Sequence, residues 1–309
     1  MVEDYHLPVL LQEVIDFLRI EPGKLYVDAT LGGGGHAQQI LLRGGMVLGV
    51  DLDEEALSYT RQKLSAYGSR LELVHDNFKN LPHILQQRRI EEIDGIIFDL
   101  GLSSHQIDTP ARGFSYKINA PLDMRFNQKQ DFSAFELLNN LSEEELRKII
   151  SKYGEEKFAS LIAKEIVKER QKAPLTTSSE LVALIDRAIP SRLKQKGHHP
   201  ARRTFQALRI AVNDELKNLE EALYGVIPFL AKGGRICVIT FHSLEDRLVK
   251  NFFREKARGC VCPPRQPVCT CNRKAEIKIL TPRPLRPSAA EIENNPRAKS
   301  AKLRVAEKI

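Results

Sequence analysis

Leu25-Tyr-Val-Asp-Ala-Thr-Leu-Gly-Gly-Gly-Gly-His36 decides how the rest of this 309-residue chain is read. Leu25 to Asp28 is a short apolar run closed by a carboxylate, the pattern of a buried strand leaving a sheet. Gly32 to Gly35 follow at once, and Ala37 to Leu42 begins a helix. Strand, glycine turn and helix N-terminus together make a binding device. Glycines let backbone approach a ligand closely, and N–H groups at the helix start attract an anionic group. The next apolar run, Met46 to Val50, ends in Asp51, spaced as the acid that holds a ribose hydroxyl in nucleotide-binding α/β folds. Gly32, Gly34 and Ala37 also satisfy G-x-G-x-x-A, so NAD, S-adenosylmethionine and a bare glycine turn are all open at this point. Asp28 tilts the choice, because a carboxylate at the strand end can face a sulfonium cation but would crowd a pyrophosphate.

Outward from this stretch the pattern repeats. Leu71 to His75 reads as a third strand running into Asp76-Asn77-Phe78, and Ile93 to Asp99 as a fourth, continuing into Leu-Gly-Leu-Ser-Ser-His-Gln (100–106). Ligands of open α/β sheets sit outside the carboxyl ends of the strands, and Asp28, Asp51, Asp76 and Asp99 all fall there in succession. Asp76 and Phe78 suit the amino group and the face of an adenine, with core packing the alternative for Phe78.

Before the glycine stretch, residues 5–20 place apolar side chains at 9, 10, 14, 15 and 18, a helical spacing with Pro8 in its first turn. Asp53 caps a helix from Glu54 to Tyr67, with Gly68 as its stop. From Asp131 to about Pro200 helix follows helix. Ser142 with Glu145 and Thr177 with Glu180 fit capping boxes, and Gly154, Pro174 and Pro190 punctuate the segments. A long helix from Arg202 to Tyr224 follows, and Gly233-Gly234 turns into a fifth strand, Arg235 to Thr240. Lys278 to Leu280 and Lys302 to Val305 are expected to close the sheet as a late hairpin. The fold class is therefore α/β, a Rossmann-like doubly wound sheet with a late antiparallel strand and an all-helical insertion. Its expected segments are 1–130, the insertion 131–200, and 201–309 with a basic tail.

Hydrophobic content of 42% with 28% charged residues is ordinary for a globular protein. No apolar run approaches the ~20 residues of a membrane span, and Met-Val-Glu-Asp-Tyr-His lacks the basic-then-apolar pattern of a signal peptide. Five cysteines, an odd number without an export signal, suit a reducing cytoplasm. The net charge of +7 is unevenly spread: Arg247 to Ile309 holds 16 Lys and Arg against 5 Glu, leaving the remainder net acidic. Seven basic residues and no acid lie between Arg187 and Arg209. Two basic zones on an acidic body point to a polyanion, either nucleic acid or, more plainly, only solvent.

Six segments lie in order: Asp-Ala-Thr-Leu-Gly-Gly-Gly-Gly-His (28–36), Asp-Leu-Gly-Leu-Ser-Ser-His-Gln (99–106), Pro-Leu-Asp-Met-Arg-Phe (121–126), Thr-Phe-Gln-Ala-Leu-Arg-Ile (204–210), Phe-His-Ser-Leu-Glu-Asp-Arg (241–247) and Asn-Pro-Arg-Ala-Lys-Ser (295–300). Together they resemble the RsmH (MraW) family of ribosomal RNA small subunit methyltransferases over nearly the whole chain. The resemblance implies a class I methyltransferase fold and transfer of a methyl group from S-adenosylmethionine to the exocyclic N4 of a cytidine. The implied target lies in the decoding region of 16S rRNA, within the small ribosomal subunit, with no membrane and no stable protein partner. It carries cofactor contacts to Gly34, Gly35, His36, Asp51, Phe78, Asp99 and Gln106. Of these, His36 and Gln106 come from the resemblance alone; a helix-terminal histidine by itself reads as solvated. Four consecutive glycines replace a loop in which many relatives place a larger residue at the second position.

The implied reaction is an in-line displacement, in which positioning and desolvation do most of the work. Many amino-methyltransferases follow the fourth strand with an acidic or amide residue, two prolines and an aromatic. Asp99-Leu100-Gly101-Leu102 has neither the prolines nor the ring, so no catalytic base is assigned. Ser103, Ser104 and His242 are candidates to bind the target base, with helix capping or a turn the alternative for each serine. The insertion, with Lys194, Lys196, Arg202 and Arg203, is expected to grip the RNA backbone. Cys260-x-Cys262 and Cys269-x-Cys271 leave structural zinc and reduced surface thiols both open, and no metal ligand is assigned. Cys237 is expected to be buried packing. Rival functions are a nicotinamide-dependent oxidoreductase, a non-catalytic ribosome-assembly factor, and a methyltransferase for DNA or another RNA base.

Overall fold

The computed structural model describes residues 7–193, 199–260, 262, 270–271 and 273–309. The chain runs α1 (Leu11–Leu18), β1 (Leu25–Asp28), α2 (Gly35–Leu42), β2 (Met46–Asp51), α3 (Glu54–Lys63), β3 (Leu71–His75), α4 (Leu81–Gln87) and β4 (Ile93–Asp99). Six helices follow: α5 (Ser104–Asp108), α6 (Ala134–Asn140), α7 (Glu143–Gly154), α8 (Ala159–Arg170), α9 (Ser178–Ala188) and α10 (Arg202–Asn213). Then come α11 (Glu215–Val226), β5 (Leu230–Thr240), α12 (Ser243–Ala257), β6 (Ile277–Ile279), α13 (Ala289–Asn294) and β7 (Lys302–Lys308). Two compact units result, one of residues 1–101 with 216–309 and the other Leu102–Glu215.

In the first unit the seven strands take the order β3-β2-β1-β4-β5-β7-β6. β1 to β5 are parallel, and β7 alone runs against both its neighbours. Alternation along the strands explains the double winding. Ile96, Phe98, Ile236 and Val238 bury on one face with α4, α11 and α12, while Ile97, Cys237 and Ile239 bury on the other with α1 and α2. Cys237 is fully buried, and burial pushes its thiol well above the ordinary range. The strand order reverses at β1, between β2 and β4, which puts the ligand crevice at the carboxyl ends of those three strands.

The helical unit has its own core, including Leu138, Leu146, Ile162, Leu184 and Leu208. It is wider than the expected 131–200. Phe114, Leu122 and Met124 bury in the helical core, and Ser178 N–H donates to the Ala120 carbonyl at 2.8 Å. At the other end Phe205, Leu208 and Val212 of α10 bury there too. Both flanks join the unit by packing that has no helical period in 102–130 to announce it.

Five local expectations change. The helix expected from Arg202 to Tyr224 is two helices, broken at Asp214 with φ 50°. The break has a partner: Asn213 donates to the Met124 carbonyl (2.7 Å) and accepts from Phe126 N–H (2.8 Å), which fixes the helix end. The first helix starts at Leu11, after Pro8, because Leu10 is left-handed and its N–H goes to Glu291 Oε1 at 2.7 Å. Asp53 caps α3 as expected, but α3 ends at Lys63 and a 3₁₀ turn, Ser65–Arg70, carries the chain to Gly68. β5 begins at Leu230, upstream of Gly233-Gly234, where a register shift against β4 absorbs the glycines. The late strands do pair antiparallel, yet α13 lies between them in sequence, so no tight hairpin forms.

Candidate functional site

The glycine stretch folds as a turn held from three sides. Asp51, at the end of β2, accepts from Gly32 N–H through Oδ2 at 2.7 Å and from Asp53 N–H through Oδ1 at 2.9 Å. Thr60 Oγ1 donates to the Gly32 carbonyl at 2.8 Å, and Lys63 Nζ to the Gly33 carbonyl at 3.1 Å. Gly34 caps α2 with φ +68°, and a Cβ there would lie 2.7 Å from Thr60 Cγ2. Only glycine meets both the left-handed backbone and that approach. Thr60 and Lys63 were not legible as site residues; a helix facing the loop, three turns after Asp51, carries no motif of its own.

Three carboxylates end β1, β2 and β4 side by side. Asp28 is buried, and burial lifts its pKa to about 7 against the pull of the Thr30 and Ala37 N–H groups. Burial likewise lifts Asp51 to about 6, against the Asp53 and Gly32 N–H groups. Asp99 is pushed well above the ordinary carboxylate range by burial, then by the charges of Asp28, Glu245 and Glu291. Its backbone N–H donates to Thr30 Oγ1 at 2.6 Å, while its Oδ1 is buried with no hydrogen-bond partner. An unsatisfied buried acceptor among carboxylates that burial holds towards neutrality is a site waiting for cationic or hydrogen-bond-donating groups.

His36 departs from the solvated side chain that its position alone suggests. It is only 4% exposed, with Nε2 at 3.2 Å from the Val9 carbonyl and Nδ1 at 3.8 Å from Asp99 Oδ2. A carbonyl can only accept, so the Val9 contact keeps a proton on Nε2. Gly35 belongs to the same wall, since a Cβ on it would meet the Pro8 ring at 2.8 Å. Phe78 opens the turn after β3, half-buried, with its ring edge-on to Phe98 at 5.8 Å. Asp76 Oδ1 shapes that turn by accepting from Asn77 N–H and Asn80 Nδ2, each at 2.7 Å. Gln106 lies in the helical unit, buried, as the third residue of the α5 capping box, its Oε1 accepting from Ser103 N–H at 3.1 Å. The structure thus gathers Gly34, Gly35, His36, Asp51 and Asp99 around the loop in the first unit, with Phe78 at the end of the next strand.

Several quoted segments are fold devices. Ser103 caps α5 through Oγ, and His242 caps α12 through Nδ1, accepting from Glu245 N–H at 3.3 Å. Asp246, just after, holds Arg304 at 2.7 Å and Lys302 at 3.0 Å, which pull its pKa down despite burial. In 121–126, Asp123 and Arg125 form a fork-like pair and Met124 is left-handed. Arg112, 1% exposed, donates to the Phe126 carbonyl at 2.9 Å and lies over the Phe114 ring. The 204–210 segment is the buried face of α10, with Arg209 paired to Glu215 at 2.7 Å.

A doubly wound sheet with one reversed strand between β5 and β6, and a row of carboxylates at its switch point, defines a class I S-adenosylmethionine-dependent methyltransferase. A ligand bearing a sulfonium, an ammonium and ribose hydroxyls supplies a partner for the unsatisfied Asp99 Oδ1 and positive charge or donors for buried Asp28 and partly buried Asp51, so the residues fit this cofactor. The chain belongs to the MraW methylase family, whose sequence profile matches residues 3–309. It is 52% identical over 307 residues to "Ribosomal RNA small subunit methyltransferase H" of Halothermothrix orenii, covering 98% of each chain. The Clostridioides difficile protein of the same name is 49% identical over 311 residues, covering 100% of each. Among the described residues, no helix is long and apolar enough to cross a membrane.

Proposed function

We propose that this enzyme methylates the exocyclic N4 of one cytidine in the decoding (P-site) region of 16S rRNA, acting on the small ribosomal subunit in the cytoplasm. The observation that carries the reading is a conjunction. A row of carboxylates raised by burial at the switch point occurs in a chain aligned end to end with relatives named for small-subunit ribosomal RNA. The cytidine and its N4 rest on the six-segment resemblance.

In this reading Asp51 takes the ribose hydroxyls, Phe78 covers the adenine, and Gly34, Gly35 and His36 line the cofactor on the loop side. Asp99 receives the cationic end. S-adenosylmethionine, when bound, supplies an electrophilic methyl group on a sulfonium. The protein's part is to hold that methyl in line with the amino nitrogen and to exclude water. A cytosine amino group is conjugated with its ring, so the base must be splayed out of its stack to present N4. Arg192, Arg202 and Arg203 are exposed on the helical unit and, in this reading, track the RNA backbone. Lys194 and Lys196, expected to join them, lie outside the described residues.

The test is methyl transfer from labelled S-adenosylmethionine to small subunits from cells lacking this gene, followed by digestion to nucleosides. Label in N4-methylcytidine supports the proposal; label in another nucleoside, or none with cofactor and subunits both bound, defeats it.

A further inference from the structure

The geometry points to a zinc site on the loop between α12 and β6, held by Cys260, Cys262 and Cys271. Their sulfur atoms all lie within 4.8 Å of one another, and the Cys260 and Cys271 sulfurs are 3.8 Å apart. A tetrahedral zinc with Zn–S bonds of about 2.3 Å requires sulfur–sulfur edges of about 3.8 Å. A disulfide would need about 2.0 Å, far below the 3.8 Å between Cys260 and Cys271. The spacing therefore matches a shared metal ion and not a covalent pair.

Two further features belong to a thiolate site. A backbone N–H points at one sulfur: Cys262 N–H lies 3.4 Å from Cys260 Sγ. Such N–H···S contacts stabilise the deprotonated ligand that zinc demands. The feet of the loop are also already joined. Glu276 N–H donates to the Lys256 carbonyl at 2.9 Å, their side chains pair at 2.8 Å, and Arg273 donates to the Glu255 carbonyl at 2.9 Å. The residues flanking Cys260 and Cys271 are thereby already brought together. The site lies apart from the acidic strand ends and has no part in the reaction proposed above. The sequence carries a further thiol, Cys269, outside the described residues; the inference rests on the three described ones.

The experiment uses the full chain, purified under reducing conditions without chelator. Elemental analysis is expected to find about one zinc per chain, and replacement by cobalt(II) to give the thiolate charge-transfer band and intense visible bands of a tetrahedral sulfur site. The double variant C260S/C271S is expected to lose the zinc while binding S-adenosylhomocysteine within about two-fold of the parent. If zinc-free reduced parent protein, titrated with zinc against a chromophoric chelator, binds no tighter than the double variant, the site does not exist. The cobalt spectrum of the parent decides the matter even if the variant fails to fold.

Discussion

Replacing Asp51 by Asn separates the electrostatics of the site from its shape. Both carboxylate oxygens are committed, Oδ2 to Gly32 N–H at 2.7 Å and Oδ1 to Asp53 N–H at 2.9 Å. An amide accepts through only one of those positions and sets an NH2 against an N–H at the other. An unsatisfied buried donor costs about 1–3 kcal/mol, and hydrogen bonds from ribose hydroxyls to a charged acceptor are worth about 1.5–3 kcal/mol. Kd for S-adenosylhomocysteine is therefore expected to rise about 10- to 150-fold in Asp51→Asn, read by titration calorimetry at about pH 7.5.

Stability should respond in a pH-dependent way. The folded-state pKa of Asp51 is raised to about 6, so its contribution is fully present below the unfolded value of about 4 and is lost as pH rises through 6. Asn does not titrate. Between about pH 7.5 and about pH 5 the difference in unfolding free energy should move by about 1.4 kcal/mol in favour of the parent, an upper bound given the partial solvent contact of Asp51. Urea denaturation of both proteins without ligand measures this. Cofactor affinity unchanged within two-fold, or a stability difference flat with pH, would refute the reasoning.

Because burial raises Asp28 to about 7 and holds Asp99 well above the ordinary carboxylate range, both bind protons without ligand and should release them to a cationic cofactor. S-adenosylmethionine affinity should then climb from about pH 5.5 to about pH 8, with proton release seen as a buffer-dependent calorimetric enthalpy; a flat profile would count against the site. Gly34→Ala forces a Cβ within 2.7 Å of Thr60 at φ +68° and should cost about 2–4 kcal/mol in urea denaturation, with loss of cofactor binding. Charge reversal of Arg202 and Arg203 together should weaken subunit binding and flatten its salt dependence, with cofactor affinity unchanged. Asn213→Ala removes the contacts to Met124 and Phe126 and should destabilise the helical unit by about 2–4 kcal/mol in chemical denaturation.

The carboxyl edge of the sheet could be read from the sequence because it depends on local order: each short apolar run ends in Asp28, Asp51 or Asp99, and a strand's last residue lies at the sheet edge wherever the strand pairs. Capping boxes at Ser142 and Thr177 were legible for the same reason, since donor and acceptor lie three residues apart. The break at Asp214 was not, because its cause is the pairing of Asn213 with a loop almost ninety positions earlier in sequence. Nor was the burial of His36, which depends on Val9 closing over the ring. Thr30, Thr60 and Lys63 hold the loop through backbone atoms, and no side-chain pattern marks such partners in advance. Phe78 keeps both of its readings, packed against Phe98 and still half-buried at the strand end.

Diffraction from crystals of this protein grown with S-adenosylhomocysteine tests the central claim most directly. The account predicts ligand density at the carboxyl ends of β1, β2 and β4, with the ribose hydroxyls on Asp51, the adenine beside Phe78 and the amino group within hydrogen-bond distance of Asp99. Density elsewhere, or a ligand at that edge that touches neither Asp51 nor Asp99, would contradict it.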